Sequence, residues 1–302
     1  MGRMGVSRPW RWEPRDVAVG AGASAVQLAV ALTAYFIVET VTEDDYGVPP
    51  SAFGFLCLLV AAPLIVPVAG LLFAIALPVP VHKVAAWAVR RAGGPSPRRT
   101  LLLPAAFTAF AAAFAALWAV PLALLGAGYL TAWAWLTAGT VPPLLAMARY
   151  RRAEAARETP YTRLGIWFHA FGATVLLVPA TVGALALATM GGVIEEYEPP
   201  QLTAGRLAGE WEGPDEALIQ LDADGGAALI DAPMGPEGEG CQGVGDWSID
   251  EEEYGYRDAV RVTGCGDEQF WLIAGTDSRP ELSVLVGDPD VGDVRIFLPR
   301  TP

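Results

Sequence analysis

The chain has 302 residues, of which 53% are hydrophobic, and its formal net charge at pH 7 is -13. Its mean hydropathy of +0.37 exceeds that of ordinary soluble proteins, and apolar runs of about 20 residues are typical of membrane spans. The charge is divided unevenly, because residues 1–193 carry 14 basic and 8 acidic side chains whereas residues 194–302 carry 6 and 25. An acidic second part repels nucleic acid, so we expect no nucleic-acid partner.

Five apolar runs in the first part predict a bundle of five transmembrane helices. The second run contains Pro63 and Pro67, which favour a kink. Residues 81–91 then predict a short amphipathic helix on the inner membrane surface, with Lys83 directed toward lipid headgroups. Residues 126–128 supply only a tight turn, so the third and fourth helices should form a hairpin. The five runs are residues 17–41, 53–79, 101–125, 129–147 and 166–190.

The basic residues predict how these helices are oriented. All 14 basic residues of the first part lie in the N-terminal tail, in residues 80–100 or in residues 148–164, and the other three connections have none near the apolar runs. Basic loops remain on the cytoplasmic side, and five spans place the two ends of the chain on opposite sides. We therefore expect a multi-pass protein of the cell membrane, with a cytoplasmic N-terminus and an extracytoplasmic C-terminal domain. The expected partner of its helices is the lipid bilayer.

The remaining chain predicts a small all-β domain. Residues 1–193 form the predicted membrane domain, residues 194–204 a charged, proline-containing linker, and residues 205–302 the β-domain. Short alternating segments, separated by Gly, Asp and Pro at roughly 8–12-residue spacing, predict an antiparallel sandwich or barrel. The clearest hairpin turn is residues 222–226. Trp211, Trp247 and Trp271 are the expected large core residues of this domain.

The two cysteines of the β-domain predict a disulfide. An even pair in an oxidising compartment is usually bonded, so Cys241 and Cys265 should have Cα atoms within about 7 Å. Both histidines of the chain, His82 and His169, lie in the first part. The β-domain therefore offers no His-based metal or catalytic site, and we expect no metal centre or cofactor.

The acidic run near the C-terminus has two interpretations. Asp288, Asp290 and Asp293 lie close enough in sequence to hold a weakly bound extracellular Ca²⁺. The alternative is a solvated turn, which Asp, Pro and Gly all favour.

Three polar side chains lie within or at the ends of the predicted spans. An ionisable group at membrane depth is a functional candidate by default. Gln27 is expected to hydrogen-bond between helices, Glu39 marks the outer boundary of the first span, and His169 is expected to anchor the inner end of the fifth span. No carboxylate, Lys or Arg lies in the middle of a span, which argues against an ion-coupled transporter.

Three fragments, residues 207–211, 241–247 and 285–290, together with Cys265, resemble small extracytoplasmic β-domains of actinobacterial multi-spanning membrane proteins and lipoproteins. The resemblance covers roughly the last third of the chain. It implies a fold and a compartment, and no activity. Gly209 and Trp211 also match the first-strand motif of lipocalin-like barrels without the other lipocalin signatures, which leaves open a ligand cavity inside the domain.

These observations favour a non-enzymatic membrane protein. Its helices would anchor an acidic β-domain that binds an envelope component, a small ligand or a membrane protein partner. The alternative is a membrane-embedded enzyme or transport component with a site among the helices near Gln27, Glu39 and His169.

Overall fold

A computed structural model describes residues 13–44, 46, 52–91, 98–157, 161–235, 237–250, 257–287 and 293–300. The chain divides into two compact units. The helical unit comprises residues 1–37 and 56–187, and the barrel unit comprises residues 38–55 and 188–302. The end of the first predicted span therefore belongs to the same unit as the β-domain, whereas the predicted domain boundaries placed the whole span in the membrane domain.

Six long helices follow one another along the first part. Four apolar helical segments are long and apolar enough to cross a membrane within the described residues: Pro14–Thr42, Val60–Ala88, Phe107–Leu124 and Arg163–Met190. These four overlap the first, second, third and fifth predicted spans, and the second segment also includes part of the predicted surface helix. The helices are α1 (Pro14–Thr42), α2 (Ala52–Ala76), α3 (Pro78–Arg91), α4 (Arg98–Leu124), α5 (Tyr129–Arg157) and α6 (Arg163–Met190).

The fourth predicted span differs from the expectation. Residues 129–147 are helical within α5 but are less apolar than the other spans, so the count of apolar helices is four and not five. Threonines, tryptophans and the pair Pro142 and Pro143 lower its hydropathy. The predicted hairpin with α4 is present, because Trp133 Nε1 donates to the Ala112 carbonyl at 3.0 Å. Gly126 has a φ of 97° in the turn, a conformation that favours glycine.

Small residues allow α1 and α2 to approach closely. A Cβ placed on Gly70 of α2 would lie 2.7 Å from the backbone nitrogen of Ala25 in α1. Such contact between helix backbones is typical of membrane helix pairs with Gly and Ala at their crossing point. A larger side chain at position 70 would force the two helices apart.

The β-domain is a closed eight-stranded antiparallel barrel, which resolves the predicted choice between sandwich and barrel. Each strand pairs with the next, and the first pairs with the last. A short helix, α7 (Ala204–Leu207), precedes the first strand. The sequence predicted no separate strand here, only the motif formed by Gly209 and Trp211. The strands are β1 (Gly209–Glu212), β2 (Leu218–Leu221), β3 (Gly226–Met234), β4 (Glu239–Asp250), β5 (Ala259–Gly264), β6 (Asp267–Thr276), β7 (Arg279–Val286) and β8 (Asp293–Pro299).

Alternating residues fill the barrel interior. Trp211, Trp271 and Phe297 are each at most 1% exposed, and aliphatic side chains from the other strands surround them. The predicted turn at residues 222–226 joins β2 and β3, where the amide of Asp222 donates to the Gly226 carbonyl. Burial alternates along β2, where Ile219 and Leu221 face the interior, as the period-two geometry of a strand requires.

Candidate functional site

A buried carboxylate connects three helices of the helical unit. Asp16, at the start of α1, is 6% exposed. It accepts hydrogen bonds from Lys83 of α3 at 3.1 Å and from Arg151 of α5 at 2.7 Å. A carboxylate out of water requires such compensation, since an unpaired buried charge is costly. These residues, the Asp16 cluster, bring the start of α1, α3 and the end of α5 to one end of the unit.

The Asp16 cluster corrects one expectation. Lys83 was expected to point toward lipid headgroups, but its ammonium bonds to Asp16 and its side chain is 17% exposed. Trp87 and Arg91 do match an interfacial helix, because Trp87 is exposed and the Arg91 guanidinium lies 4.5 Å from the centre of its ring. Of these two basic side chains, Lys83 bonds inside the helical unit and Arg91 lies over the ring of an exposed tryptophan.

A groove of about 380 Å³ lies between α1, α5 and α6. Both Gln27 and His169 line it, so two of the three polar span residues share one cavity. The Oε1 atom of Gln27 is buried and has no hydrogen-bond partner among the described residues. The rest of the lining is apolar apart from Tyr150: Val19, Gly22, Ala23, Val26, Val30, Pro142, Ala146, Ile166, Ala170, Ala173 and Leu177. We call this cavity the α1–α5–α6 groove.

An aromatic cluster lies beside one end of this groove. The ring of His169 makes edge-on contacts with Tyr150 and Tyr161, with centroids 6.3 and 5.9 Å apart. The two tyrosine rings are 5.0 Å apart. His169 Nδ1 lies 2.6 Å from the Gly165 carbonyl, which can only accept, so Nδ1 carries the proton and the other ring nitrogen is left for a further contact. The anchoring role expected of His169 stays a prediction.

In the barrel unit, Asp44 bonds to residues that are distant in sequence. Its carboxylate accepts hydrogen bonds from the Tyr197 hydroxyl at 2.5 Å and from Arg257 at 2.5 Å. The amides of Tyr46 and Gly275 donate to the same carboxylate at 2.8 and 3.1 Å. The amide of Tyr197 also donates to the carbonyl of Val41, near the end of α1. We call Asp44 and the four residues that donate to it the Asp44 cluster.

The environment of Asp44 shifts two pKa values in opposite directions. Burial alone raises the pKa of Asp44, but the hydrogen bonds from Tyr197, Arg257 and the two amides outweigh it and hold the pKa below its usual range. Burial, and then the bonded Asp44 carboxylate, raise the pKa of the Tyr197 hydroxyl. At neutral pH the cluster therefore pairs a charged carboxylate with a neutral phenol and a charged guanidinium. Asp44 and Arg257 are only 9% and 12% exposed.

The barrel interior is occupied by side chains of the chain itself. The rings of Trp271 and Phe297 meet edge to face with centroids 4.8 Å apart. Trp211 Nε1 donates to Leu207 and Trp247 Nε1 to Asp222. All three tryptophans are buried, as expected. The ligand cavity that the first-strand motif left open is, in this interior, filled with aromatic and aliphatic groups.

An external cleft of about 870 Å³ follows the junction of β1 and β8. Strand β8 pairs with β7 from Asp293 to Phe297, but it pairs with β1 only at Leu298 and Pro299. Strand β1 ends at Glu212, where the chain turns into a short 3-10 helix, Pro214–Glu216. The first five residues of β8 therefore have no pairing to β1, and their backbone edge borders the cleft.

The predicted disulfide is confirmed. Cys241 in β4 and Cys265 in the β5–β6 turn are bonded, with Cα atoms 6.1 Å apart. Of the candidate calcium ligands, Asp288 and Asp290 lie outside the described residues. Asp293 is exposed at the start of β8, with a carboxylate oxygen 3.9 Å from Arg295 Nε. Within the described parts of the chain, no group of three or more His, Cys, Asp or Glu side chains could hold a metal ion.

Sequence reasoning did not single out the buried Asp16 or the partly buried Asp44. Asp16 lies one residue before the first predicted span, among four arginines, and Asp44 lies in an acidic turn. The one available signal was that each is an acidic residue within three positions of an apolar run. Glu39, which was singled out, lies in the part of α1 that belongs to the barrel unit.

Comparisons of the chain with protein-family models, with curated proteins and with solved structures found no match.

Proposed function

We propose that this chain is a five-span protein of the cell membrane that holds its acidic barrel outside the cell and binds a partner on the barrel's outer surface. The observation that carries this proposal is the filled barrel core. Because Trp211, Trp271 and Phe297 occupy the interior, a ligand of the barrel has to bind on its outside. The barrel then acts as a rigid binding module and the helices as its anchor. The proposed role is the one that the resemblance to actinobacterial extracytoplasmic β-domains implies for the position of the barrel.

The count of five spans is supported by the Asp16 cluster and the α4–α5 hairpin. Helix α5 runs back along α4, and Arg151 in its last two turns bonds to Asp16, so it traverses the same depth as its neighbour. Residues 129–147 span about 28 Å as a helix, close to the roughly 30 Å of a bilayer's hydrocarbon core. Trp135 and Leu130 on this helix are 72% exposed, as lipid-facing side chains would be.

The orientation rests on charge and on the disulfide. With five spans, the basic flanks share one side, and the positive-inside rule makes that side cytoplasmic. The bonded pair Cys241 and Cys265 supports an oxidising compartment for the barrel. The formal charge of residues 194–302, with 25 acidic and 6 basic side chains, favours partners that carry positive charge.

The cleft between β1 and β8 indicates where a partner could bind. An exposed strand edge offers backbone donors and acceptors to an added extended segment. Residues 293–297 provide such an edge, and Ile296 and Val294 line the cleft beside it. The lining contains Arg295 and Arg300 together with the carboxylates of Glu212 and Asp293, so the cleft offers charges of both signs. We therefore expect an extended polypeptide segment as the partner.

Photo-crosslinking in intact cells of the native host tests this proposal. A photoreactive phenylalanine replaces Ile296 in the cleft and, as a matched control, Val244, which is 82% exposed on β4. A covalent adduct of defined mass at position 296 that is absent at position 244 supports binding at the cleft. Adducts at neither position, or equally at both, would contradict it.

The groove favours one alternative. Gln27 and His169 line a single cavity, which is the juxtaposition that a site among the helices requires. Its mostly apolar lining suits binding of an apolar molecule better than acid–base chemistry. Replacing Gln27 with Leu would impair a transport or enzymatic role and leave the barrel's adducts unchanged.

A further inference from the structure

A second cavity of the helical unit adjoins the α1–α5–α6 groove. It measures about 380 Å³ and is lined by the first residues of α1 and by the start of α6. Two of its residues, Arg15 and Arg163, are cationic, exposed and without a carboxylate partner among the described residues. The remaining lining is Glu13, Pro14, Tyr161 and Thr162. We call this cavity the Arg15–Arg163 pocket.

The charge of the pocket favours an anion. Its one carboxylate, Glu13, lies 3.9 Å from Arg151 and is 66% exposed, so it is directed partly toward another cation. The two arginines are the only other charged residues in the pocket lining. Arginine presents a planar fork of donors that matches a phosphate group.

The groove and the pocket lie along the same two helices. The pocket uses the start of α1 and α6, and the groove continues along both helices from Val19 and Ile166. Tyr161 of the pocket contacts Tyr150 and His169 of the groove through their rings. A basic end, an aromatic cluster and an apolar channel thus follow one another in the order of a lipid's headgroup, interface and acyl chain.

The length of the groove matches one leaflet of a bilayer. From Val19 to Val30 the axis of α1 rises about 16 Å. Half of the hydrocarbon core is about 15 Å. The same rise separates Ile166 from Leu177 on α6. A lipid chain that entered beside the basic end would therefore reach the bilayer midplane at the far end of the groove.

We propose that the Arg15–Arg163 pocket and the α1–α5–α6 groove together bind one anionic membrane lipid. The phosphate lies at the two arginines and an acyl chain fills the groove. Small side chains such as Ala23 and Ala173 leave room for the chain. This inference rests on the proposed membrane insertion. It adds a specific lipid partner that neither the barrel nor its cleft requires.

Titration of the detergent-purified full chain with lipids, followed by native mass spectrometry, tests the headgroup site. Phosphatidylglycerol and phosphatidylcholine with identical acyl chains are compared. Each arginine near a phosphate contributes about fivefold in affinity, so the double variant Arg15→Gln, Arg163→Gln should bind phosphatidylglycerol about 25-fold more weakly. The matched control Arg152→Gln removes an exposed arginine outside the pocket lining and should leave binding unchanged.

Two further measurements separate the acyl site from the phosphate site. Ala173→Leu narrows the groove and should weaken both lipids, while inorganic phosphate should not displace phosphatidylglycerol. The proposal would be overturned if the chain bound the two lipids with equal affinity, or if Arg152→Gln lost as much affinity as the double variant. It would also be overturned if Ala173→Leu had no effect, or if inorganic phosphate displaced phosphatidylglycerol. None of these results would change the crosslinks expected at the barrel. Recovery of the chain without detergent would instead contradict the proposed membrane insertion.

Discussion

Replacing Asp44 with Ala should destabilise the barrel unit more than any surface substitution. The change removes one carboxylate and leaves the Arg257 guanidinium, 12% exposed, without its 2.5 Å partner. Breaking a largely buried pair in this way costs about 3–5 kcal/mol, because the remaining guanidinium loses its closest carboxylate while it stays mostly out of water. The Tyr197 hydroxyl and two backbone amides lose their acceptor as well. Asp44→Asn preserves the shape and should cost about 2–3 kcal/mol.

Hydrogen exchange measured by mass spectrometry on the full chain in detergent detects this loss locally. The amide of Gly275 donates to Asp44, so peptides covering the end of β6 should exchange at least about 100-fold faster in Asp44→Ala. Glu210→Ala is the matched control, since it breaks the exposed Arg300–Glu210 pair. Such pairs contribute about 0–1 kcal/mol. Equal exchange in the two variants would refute the reasoning.

Three further predictions concern pH, packing and the disulfide. The Asp44 cluster should contribute its full stability between about pH 3.9 and about pH 10, which are the pKa values of Asp and Tyr in an unfolded chain. Below about pH 3.9 and above about pH 10, this contribution should decrease. The reason is that the folded pKa of Asp44 is lowered and that of Tyr197 is raised, which denaturation midpoints across pH can check. Gly245→Ala would place a Cβ 1.6 Å from the Thr263 carbonyl oxygen, so it should cost more than about 4 kcal/mol and abolish the barrel's circular-dichroism signal. Reducing the Cys241 disulfide should lower the free energy of unfolding by about 3 kcal/mol, and an unchanged urea midpoint would contradict this.

Hydropathy and alternation were enough to place most elements. Four helices and seven of the eight strands follow from apolar runs and period-two patterns. Strand β1, Gly209–Glu212, has only one apolar side chain, Trp211, so it shows no alternating pattern. Helix α5 was found, but the pattern overstated its apolar character, because Pro142 and Pro143 interrupt a run rich in Thr and Trp.

The candidate sites were less predictable because they depend on contacts distant in sequence. Asp16 bonds to Arg151, 135 residues away, and Asp44 bonds to Arg257, 213 residues away. A local sequence pattern does not predict which of the chain's arginines will bond to a given carboxylate. Gln27 and His169 were chosen for their polarity, and their shared cavity depends on how α1 packs against α6. Composition identifies such residues, and only tertiary packing brings them together.

Cysteine labelling in intact cells tests the central claim most directly. Val244→Cys in β4 and Arg152→Cys in α5 are introduced separately into a Cys57→Ser chain, whose other two cysteines are bonded. Both native side chains are exposed. A membrane-impermeant maleimide should label position 244 in intact cells and position 152 only after the membrane is permeabilised. Labelling of position 152 in intact cells, or protection of position 244, would contradict a five-span protein that displays its barrel outside.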